Sequence, residues 1–128
     1  MVENSIRTFA LQDAAIVAEI GARFYVKKVP DNAEHPFVLL RSIDDDQLYT
    51  MTDFSGHIGL FQLDVFDISQ SACEALAESL FSRFAGYSGV MGEVTVGYSF
   101  AEKKMGEWSP DDRHFRRVLE IRIASNDR

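Results

Sequence analysis

The sequence predicts an α+β fold: a mixed, mainly antiparallel sheet of about four or five strands with about two helices packed against it. Two observations carry that reading. Ser69 to Ala85 repeats apolar residues at helical spacing. His57–Asp67, Glu93–Phe100 and His114–Ala124 instead alternate with the period of a strand. Along the chain the segments read helix, strands, helix, strands, with no internal repeat and no low-complexity linker.

The chain has 128 residues, the size of one domain, so 1–128 reads as a single unit. A hydrophobic fraction of 46% and a charged fraction of 26% fit a folded domain, and a chain this long buries roughly two-thirds of its unfolded surface. Cys73 is the one cysteine, which excludes an intramolecular disulfide and suits a reducing compartment. No stretch approaches the ~20 apolar residues of a membrane span. The first residues carry Glu3, Asp13 and Glu19, which argues against a signal peptide and for a cytoplasm. The net charge of -7 keeps the protein soluble and disfavours tight nonspecific binding of phosphate backbones.

The first helix is expected over Thr8–Ile20, with Phe9, Ile16 and Ile20 near one face, a cap at Thr8 or Ser5, and Gly21 as its stop. A short strand, Arg23–Lys27, follows. Pro36 cannot donate to a sheet ladder and belongs at a strand start, so Phe37–Ile43 is a strand; its two-sided apolarity suits an inner position. In His57–Asp67, Phe61, Leu63 and Val65 share one face; Leu60, Gln62, Asp64 and Phe66 share the other. Ser69 caps the second helix, with Ser71 to Glu74 as a further capping register. Cys73, Leu76, Ala77, Leu80, Phe81 and Phe84 form its apolar stripe, and Gly86 ends it. Val94, Val96, Tyr98 and Phe100 are expected on one face of the next strand. Phe115, Arg117, Leu119, Ile121 and Ile123 are expected on one face of the last. The unit from Gly59–Phe66 through the helix to Val94–Phe100 allows a right-handed crossover between parallel strands.

Nothing in the sequence spells catalysis, and we expect no enzyme, cofactor or metal. His35, His57 and His114 lack a second ligand at metal spacing and sit in no nucleophile motif. Cys73 lies on a buried stripe, where a thiol is inert. Asp44, Asp45 and Asp46 are hard oxygen ligands, but three consecutive residues do not converge easily on one ion, so they read as a solvated acidic loop. The glycines at 86, 89 and 92 follow a helix and precede a strand, the reverse of a phosphate-cradling turn. Two connections stand out. Asp44–Gly56 carries Tyr49, Met51 and Phe54 among acids, and Ala101–Asp112 carries Met105 and Trp108 among charges. Aromatic residues and Met are enriched at protein interfaces, so these five are the candidate assembly contacts; the competing reading folds them back over the sheet as lids.

The order of these segments resembles the tail-completion, or tail-terminator, family of long-tailed bacteriophages and prophages. The similarity lies in Arg23-Phe-Tyr-Val26, His35-Pro-Phe-Val38, Gly59 to Phe66 running into Ser69 to Ala77, and the closing strand Phe115 to Ile123. The loop with Trp108 has no counterpart in it. The resemblance implies a structural virion protein. It assembles as a ring, typically a hexamer, that caps the head-proximal end of the tail tube and helps join the head. Implied partners are further copies of the chain, the tail tube protein and a head connector or neck protein. DNA passes without specific binding, and no membrane is involved. The implied location is the virion neck, with the host cytoplasm during assembly. An acidic lumen lined by Asp44, Asp45 and Asp46 would let DNA slide. Two alternatives stand beside this: another neck or head-closure component, and a small ligand-binding α+β domain with a pocket around Gln62, Asp64, Arg116, Glu120 and Arg122.

Overall fold

The computed structural model describes residues 2–51, 54–104, 106–110 and 113–125, leaving out the side chains of 44–51 and 54–57. The chain runs through helices α1 (Val2–Ala10) and α2 (Ala14–Ile20), strands β1 (Phe24–Val26), β2 (Phe37–Met51) and β3 (Phe54–Asp67), and helix α3 (Gln70–Phe84). Strands β4 (Gly89–Met91), β5 (Val94–Lys103), β6 (Glu107–Ser109) and β7 (His114–Ser125) complete it.

Seven strands form one sheet in the order β1-β2-β3-β7-β5-β4, with β6 also paired to β7. Among the described residues only the β1–β2 pairing is parallel. The class is the α+β class read from the sequence, with more elements: three helices for two and seven strands for four or five. The additional strands, β4 and β6, are three residues each, too short to show a period. Strands β3 and β5 run parallel to one another on either side of α3 in sequence, and β7 inserts between them.

The first helix is not continuous over Thr8–Ile20. Asp13 takes an extended conformation, and its carboxylate accepts from the N–H groups of Ala15 (2.9 Å) and Ile16 (3.4 Å). That cap starts α2 afresh and lets α1 turn away. Gly21 ends α2 at φ 58°, the left-handed conformation that glycine adopts most readily.

Helix α3 follows the sequence closely. Ser69 Oγ accepts from Ala72 N, and Cys73, Leu76, Ala77, Leu80 and Phe84 are buried. They pack on sheet rows built from Leu40, Leu63 and Leu119, then Phe61 and Ile121. Ile6 and Phe9 of α1 and Ile16 and Ile20 of α2 complete the same core. All the helices therefore cover one face of the sheet.

Two regions differ in kind. Of the expected loop Asp44–Gly56, residues 44–51 and 54–56 are strand: β2 and β3 continue as a long antiparallel pair, with Asp44, Asp45 and Asp46 opposite Leu60, Gly59 and Ile58. Low strand propensity of aspartate is outweighed by pairing to β3. In β5 a register shift between Val96 and Tyr98 inserts a bulge. Val94 and Val96 stay in the core, but beyond the bulge Ser99 is buried and Phe100 is 62% exposed. Tyr98 and Phe100 thus lie on the opposite face from the one expected, because one extra residue reverses a period of two.

Replacing Leu80, fully buried, by alanine is expected to cost ~2–5 kcal/mol through cavity formation, read as a lower urea midpoint. Gly92→Ala should also destabilise by more than about 1 kcal/mol: its φ is 58°, and a Cβ there would stand 2.8 Å from the backbone of Ser5 in α1. An unshifted melt in either variant contradicts the corresponding placement.

Candidate assembly surface

The sheet face away from the helices is crossed by rows of side chains. At one end Phe37 stacks on Phe66 at 4.9 Å, and His35 and His114 close over them with Nε2 and Nδ1 2.9 Å apart. Next, Asp64 is 2% exposed and forms the centre of a clamp. Its carboxylate accepts from Arg41 at 2.9 Å, Arg116 at 3.3 Å and Gln62 at 2.7 Å. Arg116 also reaches Glu107 of β6 at 3.5 Å, so the clamp ties β2, β3, β7 and β6 together. Of the residues named in the sequence as a possible pocket, Arg116 pairs with Asp64 across strands and Gln62 pairs with it along β3, while Glu120 and Arg122 border a shallow groove with Leu60 and Phe100. The far end is apolar, with Leu60, Phe100 and Tyr98 beside Arg122; the Tyr98 and Phe100 rings are 5.0 Å apart.

The candidate contacts do not form one patch. Trp108 lies on β6, 47% exposed, with its ring 4.6 Å from Phe115, and it borders a groove of ≈ 270 Å³ with Gln70, Glu74 and Arg117. Phe115 opposes Asp67, at one end of β3. Met51 and Phe54 pair at the other end of β3. The two groups are separated by nearly a full strand, on the order of 40 Å at the usual rise. The side chains of Tyr49, Met51, Phe54, Asp44, Asp45 and Asp46 lie outside the described residues, as does Met105 altogether. The acidic trio belongs to a strand, not a loop.

Sequence reasoning could not say which strands form the sheet edges. Strand β1 covers β2 only at Val38–Leu40, and β4 covers β5 only at Val94–Val96. Beyond those points both outer strands lack a neighbour among the described residues. Each open stretch displays a large apolar side chain: Ile43, 49% exposed, on β2 and Phe100 on β5. The bulge that exposes Phe100 was signalled only by Gly97 within an otherwise alternating run.

Cys73 is fully enclosed by α3, β3 and β7, and its thiol lies 3.4 Å from the Val65 carbonyl. Burial first, then the nearby Asp67 and Glu74 carboxylates, push its pKa up to about 11. Among the described residues no three His, Cys, Asp or Glu side chains gather as metal ligands, and no described helix is long and apolar enough to cross a membrane.

No protein-family model and no curated protein matches the chain. Solved structures do. A chain of the virion of a native gene transfer agent particle superposes with a TM-score of 0.73 at 13% identity, over 98% of this chain and 95% of that one. A second solved structure gives a TM-score of 0.53 at 18% identity, over 96% of each chain. At such identities what is shared is the fold.

Two measurements follow. Asp64→Asn removes the charge that both arginines face; since Arg41 is 44% exposed, the cost should be about 1–3 kcal/mol, read from denaturant melts. Cys73 should stay unreactive to a thiol reagent at pH 8 until urea unfolds the chain. A thiol pKa raised on folding means the native state holds its proton more tightly, so this group's stabilisation is complete below pH 9 and is lost as pH rises towards about 11.

Proposed function

We propose that this chain is a structural virion protein of a phage-like particle, acting as a tail terminator. It caps the tail tube at its head-proximal end as a ring, in virions and in the host cytoplasm where they assemble. The reading makes it a binding protein without chemistry of its own. The observation that carries it is the likeness in fold, over almost the whole of both chains, to a component of a gene transfer agent virion. The segment order that resembles tail-completion proteins supports the finer role.

The arrangement suits that role physically. A ring requires two different, mutually complementary patches on each subunit. The sheet has two distinct open edges, on β2 and on β5. The ends of the sheet, the Met51–Phe54 pair at one and Trp108 at the other, suit unlike neighbours such as the tube and a head connector. A net charge of -7 disfavours adhesion of DNA passing through the lumen.

Particles made without this chain test the proposal. Tails of irregular length without heads are expected. Tails of normal length lacking only the head would instead favour another neck or head-closure component. Normal infectious particles would refute both. In particles assembled with the variant chain, Trp108→Ala and Phe54→Ala should each lower yield by at least about tenfold, as hot spots at tube or connector contacts do. Wild-type yield in both variants removes them from the interface.

A further inference from the structure

We propose that the open edges of β2 and β5 pair with one another between successive copies of this chain, in one antiparallel register that sets Ile43 against Phe100 and Arg41 against Glu102. The proposal deepens the ring reading and relies on it only for closure of the contact into a ring.

The two edges match in level. Ser42 lies opposite Phe61, Phe61 opposite Ile121, and Ile121 opposite Ala101, so Ser42 and Ala101 end the same row of the sheet. One row over, Arg41, Gln62, Glu120 and Glu102 are aligned in the same way. The stretches left bare by β1 and β4 therefore overlap in height. The strands alternate in direction from β2 through β3 and β7 to β5, so β2 of one copy beside β5 of the next is an antiparallel pair.

The backbone phases match too. Lys27 N donates to Leu40 O from the outer side of β2, so the backbone groups of Leu40, and by the strand period those of Ser42, point outwards. Gly86 N donates to Ser99 O from the outer side of β5, so those of Ala101 also point outwards. Ser42 and Ala101 can exchange both N–H···O bonds as a hydrogen-bonded pair. The non-hydrogen-bonded pair on one side of it is then Arg41 with Glu102; on the other side Ile43, the extra residue where β2 shifts register against β3 between Ser42 and Asp44, comes beside Phe100.

The side chains give that register its specificity. Ile43 and Phe100, 49% and 62% exposed, would cover each other. Glu102 is 69% exposed, and Arg41, 44% exposed, keeps donors beyond the one it directs at Asp64. Opposite charges and an apolar pair side by side favour this alignment over a shifted one. Bare strand edges carrying large apolar groups are a liability that folded proteins usually blunt, and pairing between copies removes it. Because the paired residues end the same rows, successive copies join without axial offset, the condition for a closed ring rather than an open helix.

Disulfide trapping tests the register. Residues brought side by side across such an edge lie within disulfide reach, and the native Cys73 is buried. Chains carrying both Ile43→Cys and Phe100→Cys, oxidised gently, are expected to give a ladder of covalent multimers in denaturing gels. Each single variant should give at most dimers. Adding Glu102→Lys, which sets a second cation opposite Arg41, should lower the ladder yield about twofold to fivefold. Circular dichroism melts confirm that each variant is folded. Folded double variant without a ladder overturns the edge pairing even if native mass shows a multimer; in that outcome the ring reading survives with its contact elsewhere. Absence of both ladder and multimer, in particles as well as in solution, overturns the pairing and the ring together.

Discussion

The apolar stripe of α3 against the central rows of the sheet is the contact on which the rest of the structure depends. Leu76, Leu80 and Phe84 are at most 1% exposed, and each contributes about 1.5–3 kcal/mol of burial before entropy is counted. The stripe lies over β3, β7 and β5, strands brought together from distant parts of the chain. Helices α1 and α2 extend the same layer towards the sheet margins. With every helix on one side, the other face has to be stabilised by its own side chains. It is, through the stacked rings at one end and the Asp64 clamp in the middle.

Two arginines hold the helical layer to the sheet and a third ties two helices together, in a way that composition conceals. Arg7 donates to the carbonyls of Phe24 and Ala22, Arg23 to those of Pro36 and Glu19, and Arg83 to that of Phe9 through two nitrogens. Arg83 also lies 3.7 Å over the Phe9 ring. These cations satisfy carbonyls at the ends and turns of the elements, where intrahelical partners are missing. Their charge faces inwards, while Glu19, Glu74, Glu78 and Glu93 remain exposed.

What the sequence disclosed follows the strength of its periodicity. Leu76 to Phe84 and Leu119 to Ile123 announce their elements because each buries one face against the core. The break at Asp13 could be read only by ranking it above Thr8 as a cap; both are acceptable N-cap residues, and the tertiary position of α1 decides between them. The bulge in β5 reverses a face with a single residue, so Phe100 looks like core in a periodic reading and is exposed in fact. The hairpin past Ile43 was hidden by its acids, since Asp44 to Asp46 mimic a loop. As for the surface, side-chain type drew attention to Trp108, Tyr49 and Phe54, whereas unpaired backbone leaves no mark in composition at all.

That difference bears on how a chain of this kind associates. Contacts through loop aromatics can be made at many angles, because the loops adapt. A backbone edge cannot: it fixes direction, height and spacing of its partner at about 4.8 Å between strands. Ring closure depends on the angle between neighbours repeating without drift, which favours the rigid element over the adaptable one. The β2 and β5 edges belong to strands anchored by the central core through Leu40, Leu63, Leu119 and Val96, so their relative orientation is set by packing rather than by side-chain choice. Under the ring reading, the sheet defines the geometry between copies. The two ends of the sheet, one of them bearing the Trp108 groove, then remain free to differ, as contacts with two unlike neighbours above and below a ring require.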